Sequence, residues 1–176
     1  MSKKKTSTFY LTERITMTAA GTPVTATIDL GAYVDVADRQ AIAIEEVDFI
    51  FQGTAADTPL TTSAGGDASI FVQVSDLNRG GTIQFADDRA LVASGTLQLD
   101  FSNNSVTKSS DHFPDIMGAR DGVRLVVNDQ LYLTGESSAV AGSNAVNCTV
   151  RIKAHVASLS AKDFMAIAIQ STAADN

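Results

Sequence analysis

The side chains best suited to chemistry in this 176-residue chain lie in one short run, SDHFPD, where Asp111, His112 and Asp115 bring together two carboxylates and an imidazole. Such a set could hold a divalent ion or work as an acid–base pair. Hard cations ask for more oxygens at closer spacing, and Pro114 gives the run the character of a turn. The plainer reading is therefore a loop, with ion binding left open. Asp87 and Asp88 (FADDRA) read in the same way, as solvated charge in a turn. Cys148 and His155 are a nucleophile and a base by type, but seven positions along one strand separate them by about 23 Å on opposite faces. Ser137, Ser138 and Gly142 make no nucleophile elbow, and no glycine-rich run has the phosphate-cradle pattern. The expectation is that this is not an enzyme: no catalytic residue, no metal and no cofactor.

The elements that would position any site are strands. From Val146 to Ala157 (VNCTVRIKAHVA), Val146, Cys148, Val150, Ile152, Ala154 and Val156 share one parity, and Asn147, Thr149, Arg151, Lys153 and His155 share the other. Successive side chains on a strand point to opposite faces, so one face is dry and one wet. His155, beside Arg151 and Lys153, reads as a surface or interface residue. A second anchor is Ala41 to Gln52 (AIAIEEVDFIFQ): Ile42 and Ile44 are even, whereas Val47, Phe49 and Phe51 are odd. The phase slips at Glu45–Glu46, which predicts a β-bulge there.

Further strands are expected at Thr8–Ala19, Val24–Leu30, Ala68–Ser75, Thr82–Phe85 and Leu91–Phe101, the last with Leu97, Leu99 and Phe101 on one face. Gly80–Gly81 marks a turn. VRLVV (Val123–Val127) and QLYLT (Gln130–Thr134) read as a tight hairpin or as one bulged strand. Residues 53–67, 102–122 and 136–145 read as loops. After the last strand, Ser160 to Gln170 changes to helical spacing, with Phe164, Ile167 and Ala168 on one side and Ser160 as N-cap. The fold class this predicts is all-β: an antiparallel two-sheet sandwich of jelly-roll or Ig-like type, with a short C-terminal helix.

Composition agrees. The apolar share is 44% and the charged share 19%, ordinary for a folded chain, and the length suits one domain with a sizeable core. A net charge of -7 argues against a large surface for gripping nucleic acid. Lys3, Lys4 and Lys5 are the local exception. They suggest a mobile basic tip over residues 1–7 ahead of a single sandwich domain over 8–176. The one cysteine excludes a disulfide framework within the chain and fits assembly in a reducing cytoplasm. The start, MSKKKTSTFY, lacks the apolar middle of a secretion signal, and Ser2 excludes myristoylation. The chain is expected to be nearly complete as it stands.

Four stretches carry a family resemblance: AIAIEEVDFIF, the pair LYLTG and VNCTVRIKAHVASLSAKDF, and the basic tip SKKK. With these the chain resembles the single jelly-roll major capsid proteins of tailless icosahedral viruses of bacteria and archaea, including those with an internal membrane. The resemblance implies a jelly roll, no catalysis, no cofactor, and copies of the chain tiling an icosahedral shell, with other capsid proteins as further partners. It implies a virion component assembled in the host cytoplasm. The tip Lys3, Lys4, Lys5 would make weak contact with an enclosed membrane or genome, and the absence of a long Arg-rich arm speaks against direct genome packaging. The alternatives are a phage tail or baseplate component, and a lectin-like binding module; aromatics at 6% and no Trp count against the latter.

Overall fold

The fold was analysed in a computed structural model, which describes residues 3–53, 55–63, 66–110, 123–138 and 145–172. Asp111, His112 and Asp115 lie outside the described residues. In chain order the elements are β1 (Lys3–Lys4), β2 (Phe9–Met17), β3 (Val24–Asp29), β4 (Gln40–Gln52), β5 (Ala68–Ser75), β6 (Leu91–Asp100), β7 (Ser105–Ser110), β8 (Arg124–Val126), β9 (Gln130–Ser137), β10 (Val146–Ser158) and α1 (Ala161–Thr172).

These strands form two antiparallel sheets. One has the order β2-β10-β4-β8, with β1 continuing the β2 edge along the end of β10; the other has the order β3-β9-β5-β6-β7. The pairings are nested: β2 with β10, β3 with β9, β4 with β8, and β5 with β6. The chain is thus one long ribbon of paired strands, closed at the β5–β6 end and wrapped so that successive pairs fall alternately in the two sheets. That is the jelly roll.

The central strand β10 explains why the sheets stack. Its even residues Val146, Cys148, Val150, Ile152, Ala154 and Val156 are all buried, and Arg151 is exposed. They meet Ile70, Val72, Val74, Leu97, Leu131 and Leu133 of the other sheet in one continuous core. Next to β10, Ile42 and Ile44 and then Val47 and Phe49 of β4 are buried, despite their opposite parities. The register explains it: Lys153 faces Glu46 while Ala154 faces Ile44, so Glu45 is the extra residue of a bulge. Helix α1 starts where expected. Ser160 Oγ accepts from the Asp163 N–H at 3.1 Å, and the hydrogen bond with Ser160 holds the Asp163 carboxyl below its ordinary range. Phe164 packs with Ala41, Val127 and Leu159 in a small second core, flanked by Ile167 and Ala168.

The structure departs from the sequence reading in several places. Thr82–Phe85 joins no ladder; the Gln73 amide instead donates to Gln84 O and accepts from Gln84 N, both at 2.7 Å. Phe101 is 52% exposed instead of inward, since β6 ends at Asp100 and the chain turns there. The stretch read as an aperiodic loop contains an edge strand, β7, whose polar sequence SVTKSS hides its period. Residues 53–67 include a short 3-10 turn at Leu60–Ser63. The two runs around Asn128–Asp129 form neither a hairpin nor one strand: β8 belongs to the first sheet and β9 to the second. Their junction is a corner of the roll.

Candidate functional site

The outward face of the first sheet is the best-organised polar surface among the described residues. Strand register sets its rows: Tyr10, Lys153 and Glu46 lie across the sheet from one another, as do Thr12, Arg151 and Asp48. Opposite charges on neighbouring strands favour each other modestly, and the Arg151 guanidinium also lies 5.0 Å from the centre of the Tyr10 ring. Thr16 Oγ1 donates to Asn147 Oδ1 at 2.7 Å at the far end.

At the bulge the surface becomes a cluster. Two consecutive residues of β4, Glu45 and Glu46, face outward, and Glu45 is tucked in deeper, with side-chain exposure of 21% against 43%. Glu45 Oε1 lies 2.8 Å from His155 Nδ1, accepts the Thr8 hydroxyl at 3.3 Å and pairs with Lys4 Nζ at 3.5 Å; Oε2 pairs with Lys153 Nζ at 3.6 Å. Lys4 Nζ in turn donates to Thr8 Oγ1 at 2.9 Å. Burial pushes the Glu45 carboxyl up, but the hydrogen bond with His155 and the charges of Lys4, His155 and Lys153 outweigh it, so the group is held below its ordinary range. Glu46 meets only the edge of this group, 4.0 Å from Lys153.

Of the residues singled out from sequence, Lys4 is in this cluster. Lys3 and Lys4, placed by the sequence reading in a mobile tip, lie opposite Ser158 and Ala157 as the short strand β1, and Lys5 N donates to Val156 O at 2.8 Å. His155, read as a surface or interface residue, is also in the cluster: it lies on the outward parity of β10 but is largely covered, its side chain 12% exposed beside Glu45. Sequence spacing had marked the bulge but gave no sign that its carboxylate would gather Lys4 from 41 positions away and His155 from 110. Cys148 is fully buried, and burial pushes its thiol up to about 12. The folded protein should therefore be inert to a thiol reagent at pH 8 and should react stoichiometrically once unfolded in urea, as read by absorbance. Fast labelling of the native chain would contradict this placement.

A second buried polar group holds the corner between the sheets. Asp76 Oδ2 pairs with Arg124 Nη2 at 3.0 Å, Arg124 Nη2 also donates to Arg89 O at 2.6 Å, and Asn128 Nδ2 donates to Asp76 O at 2.6 Å. Nearby, Arg79 Nη2 pairs with Asp88 Oδ1 at 3.2 Å, so Asp88 is part of a buttress and not mere solvated charge. An open polar groove of about 460 Å³ lies at one end of the second sheet, lined by Asp67, Ser69, Gln98, Asp100, Ser105 and Thr107. Hydrogen bonds from Asn103 hold the Asp100 carboxyl below its ordinary range, so that carboxylate is committed to its own turn. None of these arrangements pairs a nucleophile with a base, and among the described residues no three His, Cys, Asp or Glu side chains are placed to share a metal ion.

No family model and no curated protein matches the sequence. Among solved structures the chain is similar to polyomavirus VP1. The Merkel cell polyomavirus VP1, solved with 3'-sialyllactosamine, aligns with 91% of this chain and 99% of its own at 9% identity and a TM-score of 0.49. The apo chimpanzee polyomavirus VP1 aligns with 90% and 98% at 7% identity and 0.45, and the human polyomavirus 12 VP1 with 88% and 100% at 10% and 0.44. Likeness at that level carries no functional argument.

Proposed function

We propose that the chain is a self-assembling structural subunit of a virion: a single jelly-roll major capsid protein of the tailless icosahedral kind found in bacteria and archaea. The observation that supports it most is the nested pairing of β2 with β10, β3 with β9, β4 with β8 and β5 with β6. Jelly rolls serve capsids, lectins and other proteins, so this is an argument by fold analogy, and the surfaces have to add to it. They do so in three ways. The dry core makes a rigid brick without disulfides, and loops and edge strands offer adaptable contacts for neighbours. Apolar side chains stand in solvent at separate places, with Phe85 at 85%, Val36 at 69%, and Ile169 and Met165 near 58%. A specific contact buries about 800 Å² per partner, which loops and one sheet edge can supply.

In this reading the subunit works without catalysis or cofactor, its partners are copies of itself and other capsid proteins, and it assembles in the host cytoplasm. Lys3, Lys4 and Lys5 face the interior, toward an enclosed anionic surface, membrane or genome. Each lysine contributes on the order of 1 kcal/mol at an anionic bilayer, and a shell multiplies the contact by its copy number. The test is electron microscopy of the purified protein at rising salt. Closed particles of uniform size are expected; a monomer at every salt concentration would overturn the reading.

A further inference from the structure

The cluster around Glu45 does more than decorate a sheet. A regular strand would place one outward side chain between Ile44 and Val47; the bulge places two, and the added one carries the carboxylate that meets the N-terminal segment. That segment is otherwise weakly held. Strand β1 has two residues; beyond it Lys5 N donates to Val156 O at 2.8 Å, and Val156 N donates to Thr6 Oγ1 at 3.0 Å. A two-residue strand on an edge has little stability of its own, and exposed ion pairs add little each. Hence a small change in the cluster should decide whether the segment is docked or free.

We propose that Glu45 is a latch: it holds the basic tip down on the first sheet, and an anionic lipid surface that competes for Lys4 releases the tip to bind that surface. This rests on the reading above, in which the tip meets an enclosed anionic layer. The charges facing Glu45 come from every neighbouring element: Lys4 from β1, Lys153 and His155 from β10, and Glu46 from β4 itself. Arg124, opposite Ile44 on β8, is turned away to Asp76. Docked, Lys4 has its charge matched by Glu45; undocked, three lysines are presented together. A lipid surface suits them better than nucleic acid does, because the adjoining Glu45 and Glu46 leave a spot of positive charge too narrow to follow a phosphate backbone. Headgroups can gather beneath such a spot.

The latch can be read on the free protein by limited trypsin digestion, which cuts after lysine only in an undocked chain. Glu45→Gln should speed cleavage at Lys3–Lys5 at least fivefold over the unaltered protein. Glu46→Gln removes the same charge one residue away and should leave the rate within a factor of two. Thr8→Ala, at the half-buried end of the segment, should act in the direction of Glu45→Gln and serves if that variant folds poorly by circular dichroism. Flotation with vesicles containing 30% phosphatidylglycerol should then show at least threefold tighter binding for Glu45→Gln than for Glu46→Gln. Equal digestion of the two variants would overturn the latch. Faster digestion with tighter binding to duplex DNA but not to vesicles would overturn the lipid assignment. If the digestion contrast holds while no particles form, the latch stands and the capsid reading falls; particles without the contrast give the reverse.

Discussion

Phe49→Ala should cost about 3–5 kcal/mol of folding stability, a large share of the roughly 5–15 kcal/mol that a domain of this kind possesses. Phe49 is 2% exposed and reaches from β4 across the sandwich onto Gly95 of β6. The contact is close enough that a methyl group on Gly95 would sit 2.8 Å from one ring carbon and 2.9 Å from another. Glycine is needed there for space, and the ring fills what glycine leaves. Gly95→Ala should therefore cost about 1–3 kcal/mol through overpacking. The two changes should not add: with the ring gone, the methyl group enters the vacancy, and the double variant should be more stable than the sum of the single costs implies. Urea melts at constant m-value are the measurement. Phe101→Ala, at a 52% exposed turn position, is the matched control and should stay within about 0.5 kcal/mol. A loss below 1 kcal/mol for Phe49→Ala, or strict additivity, would contradict the packing described.

Which features were legible from sequence follows from what each feature depends on. β10 was readable because its alternation runs through twelve residues with polar side chains on one parity only; burial follows it as far as Val156, the odd residues being partly covered except for exposed Arg151, and Ala157 breaks it by being buried. The bulge was readable because a parity slip between Ile44 and Val47 has one cheap structural solution. β7 was not, since an edge strand with a solvated outer face needs few apolar residues, and SVTKSS has only Val106. Thr82–Phe85 read as a strand from its place after the Gly80–Gly81 turn; whether such a run pairs with backbone or with the Gln73 amide is a tertiary fact. The Glu45 cluster was half visible. The carboxylate could be placed on a bulge, but its partners come from both ends of the chain, and only the wrapping of the roll brings them together.

The corner between β8 and β9 shows the same limit, and it yields the other large effect. Two apolar runs separated by Asn128–Asp129 look like a hairpin; what sends them into different sheets is a buried clamp of Asp76, Arg124 and Asn128. Asp76 has 4% side-chain exposure and Arg124 has 30%. Breaking a buried ion pair by removing one partner costs about 3–5 kcal/mol, because the other charge is left without compensation. Arg124 retains some solvent and a bond to Arg89 O, so Asp76→Ala should fall near the low end, at about 3 kcal/mol. Asp76→Ala with Arg124→Leu should recover part of that loss, since no buried charge then remains. The pH dependence has a definite sign. Burial raises the Asp76 carboxyl above its ordinary range, and the charge of Arg124 only partly offsets this. A group raised in the folded state favours folding fully below its unfolded pKa and loses that contribution as pH rises through the folded value. Stability of the unaltered protein minus that of Asp76→Asn should therefore decline from pH 3 to pH 6. Urea melts at pH 3, 4, 5 and 6 measure it. A difference that grows with pH would show that Arg124, and not burial, governs this carboxyl.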